Sequence, residues 1–345
     1  NYIKITGNSR VDILKKKFNN VLDDDVNKIK KQYGEFTLFL GNFPTINNFM
    51  YNEGECLSDV FHKQGLYKRG SKENDYVVRN EKSMRDVFVL LPKFFQEYSK
   101  KFPNNKLIIR THPSEKVIPY QKMINGIKNI QIINDNRNAL SWIKASNFMI
   151  STNCTTSVEA FLMKKLNINF FASKNLDDQQ YFLPSIVSIN TNSIDETLNL
   201  LDELFKTSFS NKVQNDKFKI ANFYSHIKKA LYNYEDDICS VKEMLIYLDK
   251  IKIDNQRNDK RVNKIYFYYF FLRSIISKLK INILFIFKNK KDKELDTYMK
   301  KKMLGFDFNE LNNKLKAIIL AGDKDFKDFK VNELIPNIFS IEKIK

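Results

Sequence analysis

The chain has 345 residues, 43% of them apolar, and carries a formal net charge of +18 at pH 7. This length exceeds one ordinary core and predicts about two domains, or one domain with long extensions, while the apolar content suffices for a globular interior. The basic excess points to an anionic partner: nucleic acid, an acidic membrane surface or a phosphorylated substrate. The three cysteines, Cys56, Cys154 and Cys239, are scattered and form no C-x-x-C pair, so neither a zinc site nor a disulfide framework is expected and a reducing cytoplasm is the simplest setting.

The chain opens at Asn1, without a signal peptide, in what reads as a strand, NYIKITGN; a preceding N-terminal portion is therefore expected. Asp23–Asp25 then open a helix (DDDVNKIKKQYG), where acidic side chains suit the positive end of the helix dipole; this reading is preferred to a metal site. Strands are predicted at Phe36–Leu40, Leu107–Arg110, Ile130–Ile133, Phe148–Ser151 and Ile168–Phe171. Helices are predicted at Ser83–Lys101, with a kink at Pro92, and at Ala139–Ala145, Ser157–Lys165 and Ile194–Phe205. Trp142, inside the second of these, reads as a packing residue. Short apolar strands alternating with helices predict an α/β fold with a doubly wound parallel sheet, which binds ligands at the carboxyl ends of its strands.

From Phe218 to Ile251 the pattern is helical and no longer alternates with strands. Gln256–Lys302 then holds 14 Lys and Arg against 4 Asp and Glu, a net +10 of the total +18. Within it, Ile265–Phe287 is 23 residues long, enough to span a bilayer, but Arg273, Lys278 and Lys280 interrupt it. As a helix it would gather Leu272, Ile275, Ile276, Leu279 and Ile283 on one face, which suits a helix lying on an anionic membrane surface. A helix packed on another domain is the alternative. The segment has the charge and aromatics for nucleic acid but no recognition motif, so nucleic acid is not expected as a partner. The abundance of Lys, Asn and Ile also fits an A+T-rich genome, which raises lysine counts without function.

Two loops at predicted strand ends could carry chemistry. In KLIIRTHPSE (Lys106–Glu115), Pro113 biases His112 to an extended backbone at the strand tip. There the imidazole could donate to a phosphate oxygen and Arg110 could add charge, or the histidine could be a loop residue without a role. In SNFMISTNCTTSVEAFLMKK (Ser146–Lys165), a strand ends at Ser151 and a helix starts near Thr156 or Ser157. Thr156 and Glu159 have the spacing of a capping box, so an ordinary capped helix is one reading. The other is an anion site, with hydroxyls from Thr155, Thr156 and Ser157 beside the helix amides. No glycine-rich P-loop is present, which excludes a Walker-type nucleotide triphosphate site. His62 and His226 have no convincing context.

TGNSRVD (Thr6–Asp12), RTHPSE (Arg110–Glu115) and NCTTSVEAFLMKK (Asn153–Lys165) resemble the motifs of the bacterial surface carbohydrate biosynthesis proteins, GT-B-type glycosyltransferases of capsule and lipopolysaccharide assembly. The resemblance covers roughly Ile3 to Phe205, and its last motif is the most specific. Ser9 and Thr111 stand where that family would place prolines. The same histidine–proline loop and Ser/Thr helix start resemble the donor site of CMP-sugar transferases, including sialyl- and Kdo-transferases, and of CDP-glycerol polyol-phosphate transferases. By that likeness Arg110, His112, Thr155, Thr156 and Ser157 would hold the donor phosphate, and Glu159 would contact the ribose. Stabilising the charge of a departing nucleotide phosphate lowers the barrier to transfer.

The resemblance implies a Rossmann-like C-terminal half of a GT-B enzyme, with a nucleotide-sugar donor, a glycan or glycolipid acceptor, and no cofactor or metal. The implied layout is a linker over residues 1–20, a donor-binding domain over 21–215, helices over 216–255 and a basic helical tail over 256–345. The expected location is the cytoplasmic side of the plasma membrane, attached peripherally. A CDP-polyol phosphotransferase or NDP-sugar epimerase is the nearest alternative, and a non-catalytic membrane- or nucleic-acid-binding protein the alternative of another class. No residue is assigned as the catalytic base, which the acceptor half usually supplies.

Overall fold

The computed structural model describes residues 5–133, 137–173, 182–206, 227, 229–234, 239–250, 312–316, 318, 329–335 and 338–343. The chain divides into two compact units, one of Ile13–Asp236 and one of Asn1–Asp12 with Asp237–Lys345.

The larger unit is an α/β, Rossmann-like domain. Its elements are α2 (Asp23–Tyr33), β1 (Thr37–Leu40), α3 (Leu57–Lys63), α4 (Lys72–Phe88), α5 (Leu91–Lys101), β2 (Leu107–Arg110), α6 (Ile118–Met123), β3 (Ile130–Ile133), α7 (Ala139–Ala145), β4 (Met149–Ser151), α8 (Thr156–Leu162), β5 (Asn167–Phe170), α9 (Phe182–Ile186), β6 (Ile189–Thr191) and α10 (Ile194–Lys206). The six strands form one sheet in the order β3-β2-β1-β4-β5-β6, and every pairing is parallel. The predicted doubly wound sheet is present. Its direction of winding reverses between β1 and β4, the place where such sheets open a crevice for ligands.

Alternation along the strands divides the core. Phe39, Ile109, Ile150, Ile168 and Phe170 face Val87, Leu91, Phe94, Phe95 and Tyr98 from α4 and α5 and Leu198 and Leu201 from α10. Leu38, Leu40, Ile108 and Met149 face Val26 and Ile29 of α2, Leu140, Trp142 and Ile143 of α7 and Ala160 of α8. Strands covered on both faces read as continuous apolar runs, which is why β1 and β2 were legible. Trp142 is fully buried and packs on Tyr33 and Phe36 with ring centroids 5.2 and 5.9 Å away, a packing role as expected.

Three local expectations are corrected. The helix predicted over Ser83–Lys101 is two helices: α4 begins earlier, at Lys72, and ends at Phe88, and α5 begins at Leu91 with Pro92 in its first turn. The ring of Pro92 would clash with the carbonyl of residue 88 in a continuous helix, so the chain restarts instead of kinking. In the predicted opening strand, the described residues Ile5–Asn8 form no strand, and Gly7 takes φ 92°, a turn conformation. At α8 the N-cap is Thr155 in a helical conformation without a side-chain cap, so Thr156 and Glu159 do not form the predicted capping box.

The smaller unit contains α1 (Ser9–Asp12), α11 (Ser240–Lys250) and an antiparallel pair, β7 (Phe329–Ile335) with β8 (Ile338–Lys343). The hairpin was not foreseen. Asp12 is buried and receives amides from the start of α11. The amphipathic stretch Ile265–Phe287 lies outside the described residues. Among the described residues, no helix is long and apolar enough to cross a membrane.

Candidate functional site

Strands β2, β1 and β4 lie side by side and in parallel, so the loops after them share the carboxyl edge of the sheet. These loops carry Thr111–Glu115, Gly41–Phe43 and Thr152–Thr155. Both sequence motifs therefore flank the loop that follows β1. Two consecutive residues of that loop reach one motif each. The amide of Asn42 donates to Thr152 Oγ1 at 3.0 Å and its Nδ2 to the carbonyl of Asn153 at 3.1 Å. The amide of Phe43 donates to Glu115 Oε1 at 3.0 Å.

The β1 and β2 loops are also joined along their backbones. Phe49 donates its amide to the Ser114 carbonyl and Lys116 its amide to the Asn47 carbonyl, both at 2.9 Å, around an antiparallel bridge between Asn48 and Glu115. His112 is half-buried on this braced loop. Its Nδ1 accepts the Ser114 amide at 3.3 Å and lies 2.6 Å from Ser114 Oγ. An accepting Nδ1 places the proton of the neutral ring on Nε2, making that nitrogen a donor.

Glu115 sits below the loop, 4% exposed. Burial pushes its carboxyl group up to about 7, opposed by hydrogen bonds from Tyr120, the amides of Phe43 and His112, and Asn47. Tyr120 of α6 donates to Oε2 at 2.5 Å. Its hydroxyl also lies over Gly41, where an added Cβ would come within 2.5 Å of it; this close approach requires glycine after β1.

The remaining predicted residues are distributed unevenly. Arg110 closes β2, and its guanidinium donates to the Arg137 carbonyl at 3.2 Å, on the segment leading into α7. Thr155 is exposed on the β4–α8 loop, and Thr156 is half-buried with its hydroxyl 3.0 Å from Cys154 Sγ. Ser157 is fully buried; its Oγ lies 3.0 Å from Ser151 Oγ, and its amide donates to the Cys154 carbonyl at 3.0 Å. The hydroxyl of Ser157 is thus spent inside the fold, contrary to its predicted place at a phosphate. Glu159 lies one turn into α8, half-buried. Burial, then the charges of Glu159 and Glu115, push the Cys154 thiol up against hydrogen bonds from Thr156. Cys154 therefore feels both the histidine loop and its own helix.

The β4–α8 loop has a second support. Asn153 adopts φ 49°, a left-handed conformation that asparagine tolerates better than most residues. Its amide donates to Asn169 Oδ1 at 2.7 Å; Asn169 Nδ2 donates to Asn190 Oδ1 at 2.9 Å. One position earlier on that face, Asn167 Nδ2 donates to Ser151 Oγ at 3.0 Å and to Ser188 Oγ at 2.6 Å. A polar ladder thus crosses β4, β5 and β6 within the domain. Asn42, Glu115, Tyr120 and Asn169 were not assigned roles from the sequence. The signal for Asn169 was visible in NINF: two asparagines at alternate positions of a buried strand demand partners.

All three cysteines are free thiols. Asp23–Asp25 occupy the first turn of α2 as expected, with Asp23 2.7 Å from Lys144 Nζ. Among the described residues, no three His, Cys, Asp or Glu gather as a metal-binding set.

A family described as "Protein of unknown function (DUF354)" matches residues 72–236, from the start of α4 to the end of the larger unit. That is 165 of the 345 residues and includes β2 to β6 but not β1. No curated protein matches the chain.

Proposed function

We propose that the larger unit is the donor-binding half of a glycosyltransferase that takes a sugar from a CMP-activated donor, in the assembly of a surface polysaccharide or lipopolysaccharide. The observation that carries this reading is the joining of the two motif loops by Asn42 and Phe43 at the switch point of the sheet. His112, with Nε2 as donor, and the exposed Thr155 with Thr156 supply the phosphate contacts; Arg110 adds positive charge from the strand end. A hydrogen-bond donor held in place at a departing nucleotide phosphate stabilises charge as it develops. The acceptor is a glycan or glycolipid, and the group that deprotonates it comes from an acceptor-binding half.

Calorimetry with CMP, CDP, UDP and single-stranded DNA tests the reading. CMP binding is expected, with His112→Ala and Thr156→Ala each weakening it by about 1–3 kcal/mol, the usual loss for a hydrogen bond to a charged group. CDP binding alone would favour a polyol phosphotransferase, UDP binding an epimerase, and DNA binding without any nucleotide would end the enzyme reading.

Attachment to the inner face of the plasma membrane belongs to the same proposal. Its support is the basic, apolar sequence of Ile265–Lys302, where each cation near an anionic surface contributes about 1 kcal/mol. Co-sedimentation with phosphatidylglycerol vesicles, weakened by salt and abolished by deleting Ile265–Lys302, is the expected result. Equal binding to neutral vesicles would overturn it.

A further inference from the structure

We propose that Glu115 is the positioning residue of this site: its carboxyl group fixes the His112 loop against the β1 loop, and through Asn42 against the β4–α8 loop. The inference rests on the donor-site reading and deepens it by naming what sets the spacing between the two phosphate-binding loops. Glu115 touches no ligand in this role; it acts through His112.

The geometry carries the assignment. One oxygen of Glu115 takes the amide of Phe43 at 3.0 Å and the other takes the Tyr120 hydroxyl at 2.5 Å. The carboxyl also receives the amide of His112, and the amide of Glu115 returns a bond of 2.9 Å to the His112 carbonyl. The side chain thus grips the backbone of the very residue it would position, on the far side from solvent. The next link is covalent, since Phe43 follows Asn42, and Asn42 holds Thr152 and Asn153. Asn47 Nδ2, bonded to the Lys116 carbonyl at 3.0 Å, and Lys116 Nζ, bonded to the Tyr51 carbonyl at 2.9 Å, brace the same two loops farther along, whereas Glu115 bonds the backbone of His112 itself.

The partners of Glu115 are all donors, an arrangement that suits a carboxylate. On protonation the carboxyl gains an O–H, and one donor must yield; the Tyr120 hydroxyl can turn to accept. The other titratable groups nearby are His112 on its own loop, Tyr120 on α6 and Cys154 on the β4–α8 loop. Tyr120 and Cys154 are both pushed upward, Tyr120 by burial and then by Glu115 itself. Protonation of Glu115 would therefore rearrange the hydrogen bonds that hold the loop, and burial moves that exchange up to about 7.

The test follows the His112 imidazole directly, in the full chain. Carbon–proton correlation spectra of the histidines are recorded against pH for the parent chain, Glu115→Gln, Glu115→Ala and Tyr120→Phe, with His112→Gln to assign the signal. The parent should show an added inflection near neutral pH in the His112 signal, absent from Glu115→Gln. Glu115→Ala should shift and broaden that signal and weaken CMP binding about 10- to 100-fold, and Glu115→Gln, which keeps one accepting oxygen, should fall between it and the parent. A His112 signal that titrates identically in the parent, Glu115→Gln and folded Glu115→Ala would overturn the assignment, even if melting temperatures fall, because that is the behaviour of a merely structural residue. If Glu115→Ala does not fold, Glu115→Gln decides: an unchanged inflection overturns the proposal and its loss supports it. If the parent binds no CMP, the donor-site reading fails, whereas the histidine signals still decide the role of Glu115.

Discussion

Asp12 accepts the backbone amide of Ser240 at 3.1 Å, and its second oxygen accepts that of Val241 at 3.2 Å. A carboxylate 228 residues away in sequence thus caps a helix that has no intrahelical partners for its first amides. Asp12→Ala should destabilise the smaller unit by about 1–2 kcal/mol, and Asp12→Asn by less, because the amide oxygen keeps one of the bonds. Chemical denaturation followed by far-ultraviolet circular dichroism checks this; equal stability of Asp12→Ala and the parent would show the cap to be inert.

Glu115 predicts a pH dependence of stability. Its carboxyl titrates at about 7 in the fold and at its ordinary 4.5 when exposed, so the folded state holds the proton more tightly. Stability is highest below about 4.5 with respect to this group, falls as pH rises toward 7, and is level beyond. The change amounts to about 3 kcal/mol. The difference in unfolding free energy between parent and Glu115→Gln, measured from pH 4.5 to 8, should carry this slope; a pH-independent difference refutes it.

Gly41→Ala should destabilise by about 1–3 kcal/mol, since the new methyl group meets the Tyr120 hydroxyl. Tyr120→Phe removes that oxygen and leaves room. The double variant should therefore be more stable than the sum of the two single effects predicts, a coupling visible in a double-mutant cycle of urea unfolding. Strict additivity would place the strain of Gly41→Ala elsewhere.

Asn169→Leu keeps the branched shape of the side chain, with larger methyl groups, but removes the acceptor of the Asn153 amide and the donor to Asn190 Oδ1. A loss of about 2–4 kcal/mol is expected, with faster hydrogen exchange at Asn153 and its loop neighbours. Protection at Asn153 equal to that in the parent would disprove the support assigned to Asn169.

The sheet was legible where strands are buried on both faces, because burial writes an unbroken apolar run: TLFL and LIIR could hardly be anything else. β6 was missed because Ile189–Thr191 is three residues, INT, with one apolar side chain. The start of α4 at Lys72 was missed because its first half, KENDYVV, is mostly polar. At the site, composition located both loops, and strand order then made them neighbours of β1. What composition could not supply is the direction of a hydroxyl. Ser157 looks like a donor in sequence, yet helical geometry turns it inward to Ser151, while the less conspicuous Glu115 holds the loop. The roles of Asn42 and Phe43 were illegible because they act largely through backbone amides, which every residue but proline possesses.

The place of β1 at the centre of the sheet also governs how the chain must be made. Its two flanking partners arrive late: β2 only after α3, α4 and α5 have been synthesised, and β4 later still, Thr152 being 110 residues beyond Asn42. A ribosome that has released β3 has delivered three strands whose innermost member still lacks a neighbour on one side. That open edge is a pairing template for other nascent chains, and closing it requires the loss of a long loop's freedom before any contact is gained. Assembly of the sheet is therefore a late event in translation, completed from the centre outward once β4 docks, and cellular yield should depend more on shielding of the emerging N-terminal half than on the stability of the finished domain.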